Sequence, residues 1–216
     1  MIRSALFFTF FIFGFYSCSQ PAGTGNSKST AAAGTSSLKN GDLIFQTSQS
    51  SQCKAVQLAT HSIYSHCGII YVKNNVTFVY EAVQPVKLTP LDEFAERGKD
   101  GKYVVKRLKN AEAILTPAVL AKMQSEGEKY EGKNYDLFFE WSDDRIYCSE
   151  LLWKIYKQGA GIEIGKLEKL KDFDLGSEPV KVKLKERYGD HILFDETVIS
   201  PASIFESEKL YTVYEN

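Results

Sequence analysis

Residues 19–37, SQPAGTGNSKSTAAAGTSS, contain no aromatic side chain and no Leu, Ile or Val. Such a stretch cannot bury enough apolar surface to offset the entropy of ordering it, so it behaves as a flexible tether. No large hydrophobe appears until Leu38. Whatever folds must therefore be built from residues 38–216, a length that supports a hydrophobic core without covalent or metal staples.

Ahead of the tether, residues 1–17 carry one charge, Arg3, followed by an apolar run from Ala5 to Tyr16. A membrane-spanning helix needs roughly 20 residues, and this run is shorter. It has no polar face and reads as the core of a secretory signal flanked by Arg3. The run ends at Ser17–Cys18. A small residue before Cys is how bacterial lipoprotein signals end, which would place a lipid on Cys18. Phe15 and Tyr16 depart from the Leu and small residue usual in such signals, and plain cleavage after Ser19 is the alternative. The organisation expected is a signal at 1–17, a tether at 18–37 and one domain at 38–216. That domain would sit in the bacterial cell envelope, on a membrane through the anchor or free in the periplasm.

Charge excludes one class of partner. Lys and Arg total 26 against 27 Asp and Glu, a net charge of −1, so the basic footprint that nucleic acid requires is missing. Within the domain at 38–216 the cysteines are Cys53, Cys67 and Cys148. An odd number in an exported chain leaves a thiol unpaired or pairs two chains.

Strand-like runs occur at 42–46, 66–72, 75–81, 102–108 and 196–199. Helices are expected at 50–60, at 90–97, from 117 to about 130 behind the Thr116–Pro117 start, and at 147–157, with a Lys-rich element at 181–187. Strands and helices intersperse without βαβ alternation, which indicates an α+β fold.

CxxC, HExxH, GxSxG, phosphate-loop and calcium-loop motifs are absent. Cys148 falls at the start of the 147–157 helix, where the helix end's partial positive charge favours thiolate. Cys148, Leu151, Leu152 and Ile155 also share one helical face, so the same spacing fits the first residue of a buried stripe. His66 and Glu81 lie on consecutive strands. If Lys73–Asn74 forms a two-residue loop, His66 lies directly opposite Glu81, close enough for the carboxylate to hold one ring nitrogen and leave the other as a base. If the loop is Asn74–Asn75, Glu81 becomes a diagonal neighbour on the same face. A three-residue loop puts it on the other face. Cys67 should point away from His66 into the core. His61 and Tyr64 alternate with His66 and would share its edge if the strand ran backwards, and His191 reads as an exposed turn residue. Cys53, His61, His66 and Cys67 include zinc-type ligands, but their spacing matches no standard framework, and no metal or other cofactor is expected.

Five segments then form an ordered set: GDLIFQTSQS at 41–50, ATHSIYSHCGIIY at 59–71, VYEAVQPV at 79–86, GKNYDLFF at 132–139 and YCSELLWKIY at 147–156. Together with the later SPASIFES, they resemble the YiiX-like cysteine hydrolases, circularly permuted relatives of the NlpC-type cell-wall peptidases within the papain-like class. The resemblance implies a permuted papain-like fold, with a small antiparallel sheet packed on helices. It also implies Cys148 as nucleophile, His66 as base, Glu81 as the residue that orients His66, and Tyr64 near the substrate cleft. Permutation accounts for a His that precedes the Cys. The activity implied is cleavage of an amide or ester through an acyl-enzyme. An exported location suggests peptidoglycan peptides as substrate, and the lipid-handling acyltransferases among the permuted relatives suggest a lipid ester or N-acyl amide. A non-catalytic binding module on the same scaffold is the remaining reading.

Overall fold

The computed structural model describes residues 38–216. The signal, Cys18 and the tether lie outside the described residues. In chain order the strands are β1 (Leu43–Gln46), β2 (His66–Lys73), β3 (Val76–Glu81), β4 (Lys87–Pro90), β5 (Val104–Leu108), β6 (Glu168–Lys169), β7 (Thr197–Val198) and β8 (Leu210–Glu215). The helices are α1 (Ser51–Thr60), α2 (Leu91–Glu96), α3 (Ala111–Ile114), α4 (Pro117–Glu128), α5 (Cys148–Ile155), α6 (Glu178–Tyr188) and α7 (Pro201–Phe205).

Six strands form an antiparallel sheet in the order β4-β3-β2-β1-β5-β8, and β6 pairs with β7 separately. This is the α+β architecture expected. The sheet divides two cores. Leu43, Phe45, Cys67 and Ile69 face the larger one, where they meet Cys148, Leu151 and Ile155 of α5. Ile44, Ile70, Val79 and Val105 face a smaller one closed by Phe94 of α2. Alternation along each strand sends neighbours to opposite cores.

The β2–β3 hairpin takes the second of the two short registers. Lys73 faces Val76, so the loop is Asn74–Asn75 and not Lys73–Asn74. Both loop residues have left-handed backbones, with φ of 51° and 61°. A two-residue hairpin turn of this type needs positive φ twice, and Asn adopts it far more readily than Lys. Glu81 therefore falls level with Gly68, diagonal to His66 and on the same face. Gly68 leaves that ground open, for a Cβ there would lie 2.3 Å from Val79 Cγ1. β2 does not extend backwards. His61 ends α1 in a left-handed conformation with φ 52° and is exposed, with Nε2 3.3 Å from Asp174.

Candidate active site

The hairpin and α5 meet at the end of β2. His66 is the first residue of that strand, and its ring stacks on Phe94 with centroids 5.7 Å apart. Its Nε2 lies 2.5 Å from Glu81 Oε2. Glu81 is fully buried, and its second oxygen accepts from the Arg97 guanidinium just beyond α2. Arg97 in turn lies over the Phe94 ring at 5.6 Å. Strand, helix and cation together hold the carboxylate on the outer ring nitrogen, which leaves Nδ1 for the sulfur.

That sulfur belongs to Cys148, the first residue of α5. Tyr147 occupies the cap position and makes no side-chain cap bond, so the first backbone N–H groups of α5 keep their polarity for the site. The thiol of Cys148 is held well below its ordinary pKa. The largest cause is the hydrogen bond from the Cys67 thiol. Burial opposes it, and the hydrogen bond and charge of His66 and the backbone N–H of Cys67 reinforce it. Burial works against the His66 cation, but the hydrogen bonds and charges of Cys148 and Glu81 outweigh it and push His66 up to about 10. Glu81 is raised by burial and lowered by more than that through His66, Thr89 and Arg97. These directions all favour a thiolate–imidazolium pair with an ionised carboxylate behind it.

Two further side chains touch the sulfur. Tyr135 is hydrogen-bonded to Cys148, and its hydroxyl accepts from Gln52 Nε2 at 3.2 Å. Arg187 of α6 fixes Gln52 by donating to its Oε1 at 2.6 Å. Burial and the neighbouring Cys148 and Cys53 sulfurs raise Tyr135 well above the usual phenol value, so it stays a donor. Its backbone bridges to Ile146, two residues before Cys148. Sequence reasoning passed over Tyr135, although it lies inside GKNYDLFF. Cys67 is the other. It points away from the His66 side of the sheet, as alternation requires, but that face is where α5 lies, and its thiol meets Cys148 there. Cys67 thus points into the core, as expected, and within that core it adjoins the site.

The structure thus brings Cys148, His66 and Glu81 together. Tyr64 stacks on Phe205 at 4.0 Å and meets the Phe45 ring edge-on at 6.2 Å, outside the cleft beside Cys148. His191 is exposed and donates its backbone N–H to Tyr188 O, as a turn residue does. Among the described residues no group of three or more His, Cys, Asp or Glu is arranged to hold a metal ion.

A cleft of about 100 Å³ opens against Cys148, between α1 and α6. Val56 and Ala59 of α1, Val180 and Leu184 of α6, and Phe139 and Ile199 give it an apolar wall. For scale, an apolar cavity of roughly 150 Å³ holds benzene.

A family model described as permuted papain-like amidase enzyme, YaeF/YiiX, C92 family, matches residues 37–214. The protein YiiX of Escherichia coli K12 is 49% identical over 175 residues, spanning 81% of this chain and 85% of that one. A crystal structure described as that of the metalloprotein yiiX from Escherichia coli O157:H7 superposes with a TM-score of 0.79 at 48% identity, covering 82% of this chain and 97% of the other. The metal in that description finds no matching ligand cluster among the described residues here.

Proposed function

Because the chain belongs to the YaeF/YiiX family of permuted papain-like amidases, we propose that it hydrolyses an N-acyl amide or ester whose acyl group is apolar, through a thioester on Cys148. The observation that carries this reading is the apolar cleft opening directly on the sulfur. A peptidoglycan stem peptide presents carboxylates and ammonium groups, and such groups lose hydration on entering an apolar wall without partners. Of the two cations at the cleft, Arg187 is already engaged with Gln52 and the Leu137 carbonyl, and Lys183 with Glu186.

The chemistry follows from the pairings. The Cys148 thiolate attacks the acyl carbonyl while the acyl chain lies between α1 and α6. Negative charge develops on the carbonyl oxygen and meets the Cys148 backbone N–H at the start of α5 and the Tyr135 hydroxyl, donors already in place. His66, protonated at rest, gives its proton to the leaving amine or alcohol as the tetrahedral intermediate collapses to the thioester. Neutral His66 then takes a proton from water, which attacks the thioester and releases the fatty acid and the thiolate. Glu81 keeps the ring oriented through both transfers. The location we propose is the cell envelope, with Cys18 lipidated and residues 19–37 as the tether. There an anchored enzyme shares a surface with acylated substrates.

Lipid extracts and purified sacculi, incubated separately with the enzyme and read by intact-protein mass spectrometry, test the substrate class. An acyl mass on Cys148 from the lipid arm is expected, and its absence in Cys148→Ala. An adduct or products from the sacculus arm alone would replace the lipid reading with the peptide one.

A further inference from the structure

We propose that Cys67 is a resolving thiol for Cys148, so that peroxide converts the site to a reversible Cys67–Cys148 disulfide instead of destroying its nucleophile. The inference rests on the assignment of Cys148 as nucleophile only in that both need its thiolate. In the hydrolysis proposed Cys67 does no more than donate a hydrogen bond to the Cys148 sulfur, yet it is a free cysteine, fully buried, on the face of β2 that α5 covers. It shares the floor of the site with Cys148, and each sulfur is the other's neighbour.

A core position does not need a thiol. Val, Ala or Thr would fill the space beside Ile69 and Phe45 without placing a second sulfur against a thiolate. Buried cysteines in apolar surroundings are inert because they stay protonated. Cys67 is held in that state by burial and by the charge on Cys148. The pair therefore carries one ionised and one protonated sulfur at rest, the division of labour that a two-cysteine peroxide response needs.

The steps balance. The Cys148 thiolate attacks one peroxide oxygen. The S–O bond forms as the O–O bond breaks, and the departing hydroxide takes the proton held by His66 and leaves as water. Cys148 is then a neutral sulfenic acid, and the charge that kept Cys67 protonated is gone. The Cys67 sulfur attacks the sulfenic sulfur, its proton passes to the sulfenic hydroxyl as the S–O bond breaks, and that hydroxyl leaves as water. The two sulfurs together have lost two electrons and the peroxide has gained two. A dithiol reductant reverses the state by exchange. Without a partner, a sulfenic acid meeting more peroxide goes on to sulfinic acid, which such reductants do not restore.

The test exposes the full chain to excess hydrogen peroxide and reads intact mass, peptide cross-links and the alkylation of Cys148 before and after dithiothreitol. Wild type is expected to lose the mass of two hydrogen atoms, to yield a linked peptide containing Cys67 and Cys148, and to recover alkylation fully on reduction. Cys67→Ser is expected to gain two oxygen atoms on Cys148 and to recover at least about tenfold less alkylation. Cys53→Ser, which removes the third described thiol, is expected to behave as wild type. Sulfinic acid on Cys148 of the wild type, with Cys67 still alkylatable after unfolding, would overturn the pairing while leaving the nucleophile assignment intact. Loss of the disulfide in Cys53→Ser would overturn it in favour of Cys53. A wild-type Cys148 that peroxide leaves unchanged would remove the pairing and the activated thiolate together. Because the readouts are masses and linkages, a wrong substrate assignment leaves the result untouched.

Discussion

Glu81 has both oxygens committed, one to the His66 ring and one to the Arg97 guanidinium. The residue that orients the base is thus itself held from the far side. Removing its charge withdraws support for the His66 cation and lets that pKa fall from about 10 toward the ordinary value near 6.5. The reactive ion pair exists only between the depressed pKa of Cys148 and the raised pKa of His66. Wild-type Cys148 is therefore expected to alkylate at a near-constant rate across neutral pH and up toward the His66 limit at about 10, whereas an ordinary thiol would climb toward a midpoint near 8.5. In Glu81→Gln the alkaline limit should move down by more than about one pH unit, and turnover should fall by roughly 10²-fold or more. A variant profile that overlays the wild type would detach Glu81 from the relay. The parts of this arrangement were unequally legible in the sequence. His66 and Glu81 share a hairpin whose period and loop chemistry bring them together, and Cys148 stands at a helix start. Tyr135 reaches the sulfur from an irregular segment, and Arg97 reaches Glu81 from the end of a short helix. Neither has a period that aims it at a site, so no spacing argument finds them. For Cys67 the limit was of another kind. Alternation gives the face of a strand correctly but does not say what lies on that face.

At the scale of elements, α1 and α6 wall the cleft and α5 carries the proposed nucleophile. Ala59 lies on the cleft side of α1. Ala59→Phe is expected to reduce kcat/KM for a long-chain acyl ester by at least about tenfold, and to leave an acetyl ester within about twofold, since a filled cleft removes binding for the chain and not for the carbonyl. Equal losses on both esters would show that the cleft does not seat the acyl group. α5 also buries Glu150, whose carboxylate lies 2.7 Å from Lys154 Nζ one turn on. Burial raises Glu150 to about 8, with Lys154 pulling the other way. The folded chain then holds a proton that the unfolded chain releases near pH 4.3. Stability from this group is full below that pH and declines as pH rises through about 8. Glu150→Gln is expected to remove on the order of a few kcal/mol of that decline, measured as the difference in denaturant unfolding between pH 5 and pH 8. A slope unchanged from wild type would mean that Glu150 is ionised throughout. The helical stripe of α5 and the two-residue turn of the hairpin were readable from the chain. The two-residue strand β7 falls inside the run at 196–199, whereas its partner β6 and the edge strands β4 and β8 were not marked out, because they are short or partly exposed and depend on their neighbours for pairing.

For the whole molecule, the division at Leu38 separates location from chemistry. Cys18→Ser is expected to move the protein from the membrane fraction to the soluble fraction and to abolish incorporation of labelled fatty acid, with turnover of a soluble short-chain ester unchanged. Retention in the membrane fraction would end the anchor proposal. The permuted order has a consequence of its own. His66 and Glu81 close on each other through a hairpin, a local contact that forms early and fast, whereas Cys148 joins them only when a helix far along the chain docks on β2. Until then its sulfur is an ordinary thiol, predominantly protonated at neutral pH. If the chain is exported as proposed, it carries no armed nucleophile while it is threaded across a membrane: reactivity switches on at the last act of folding.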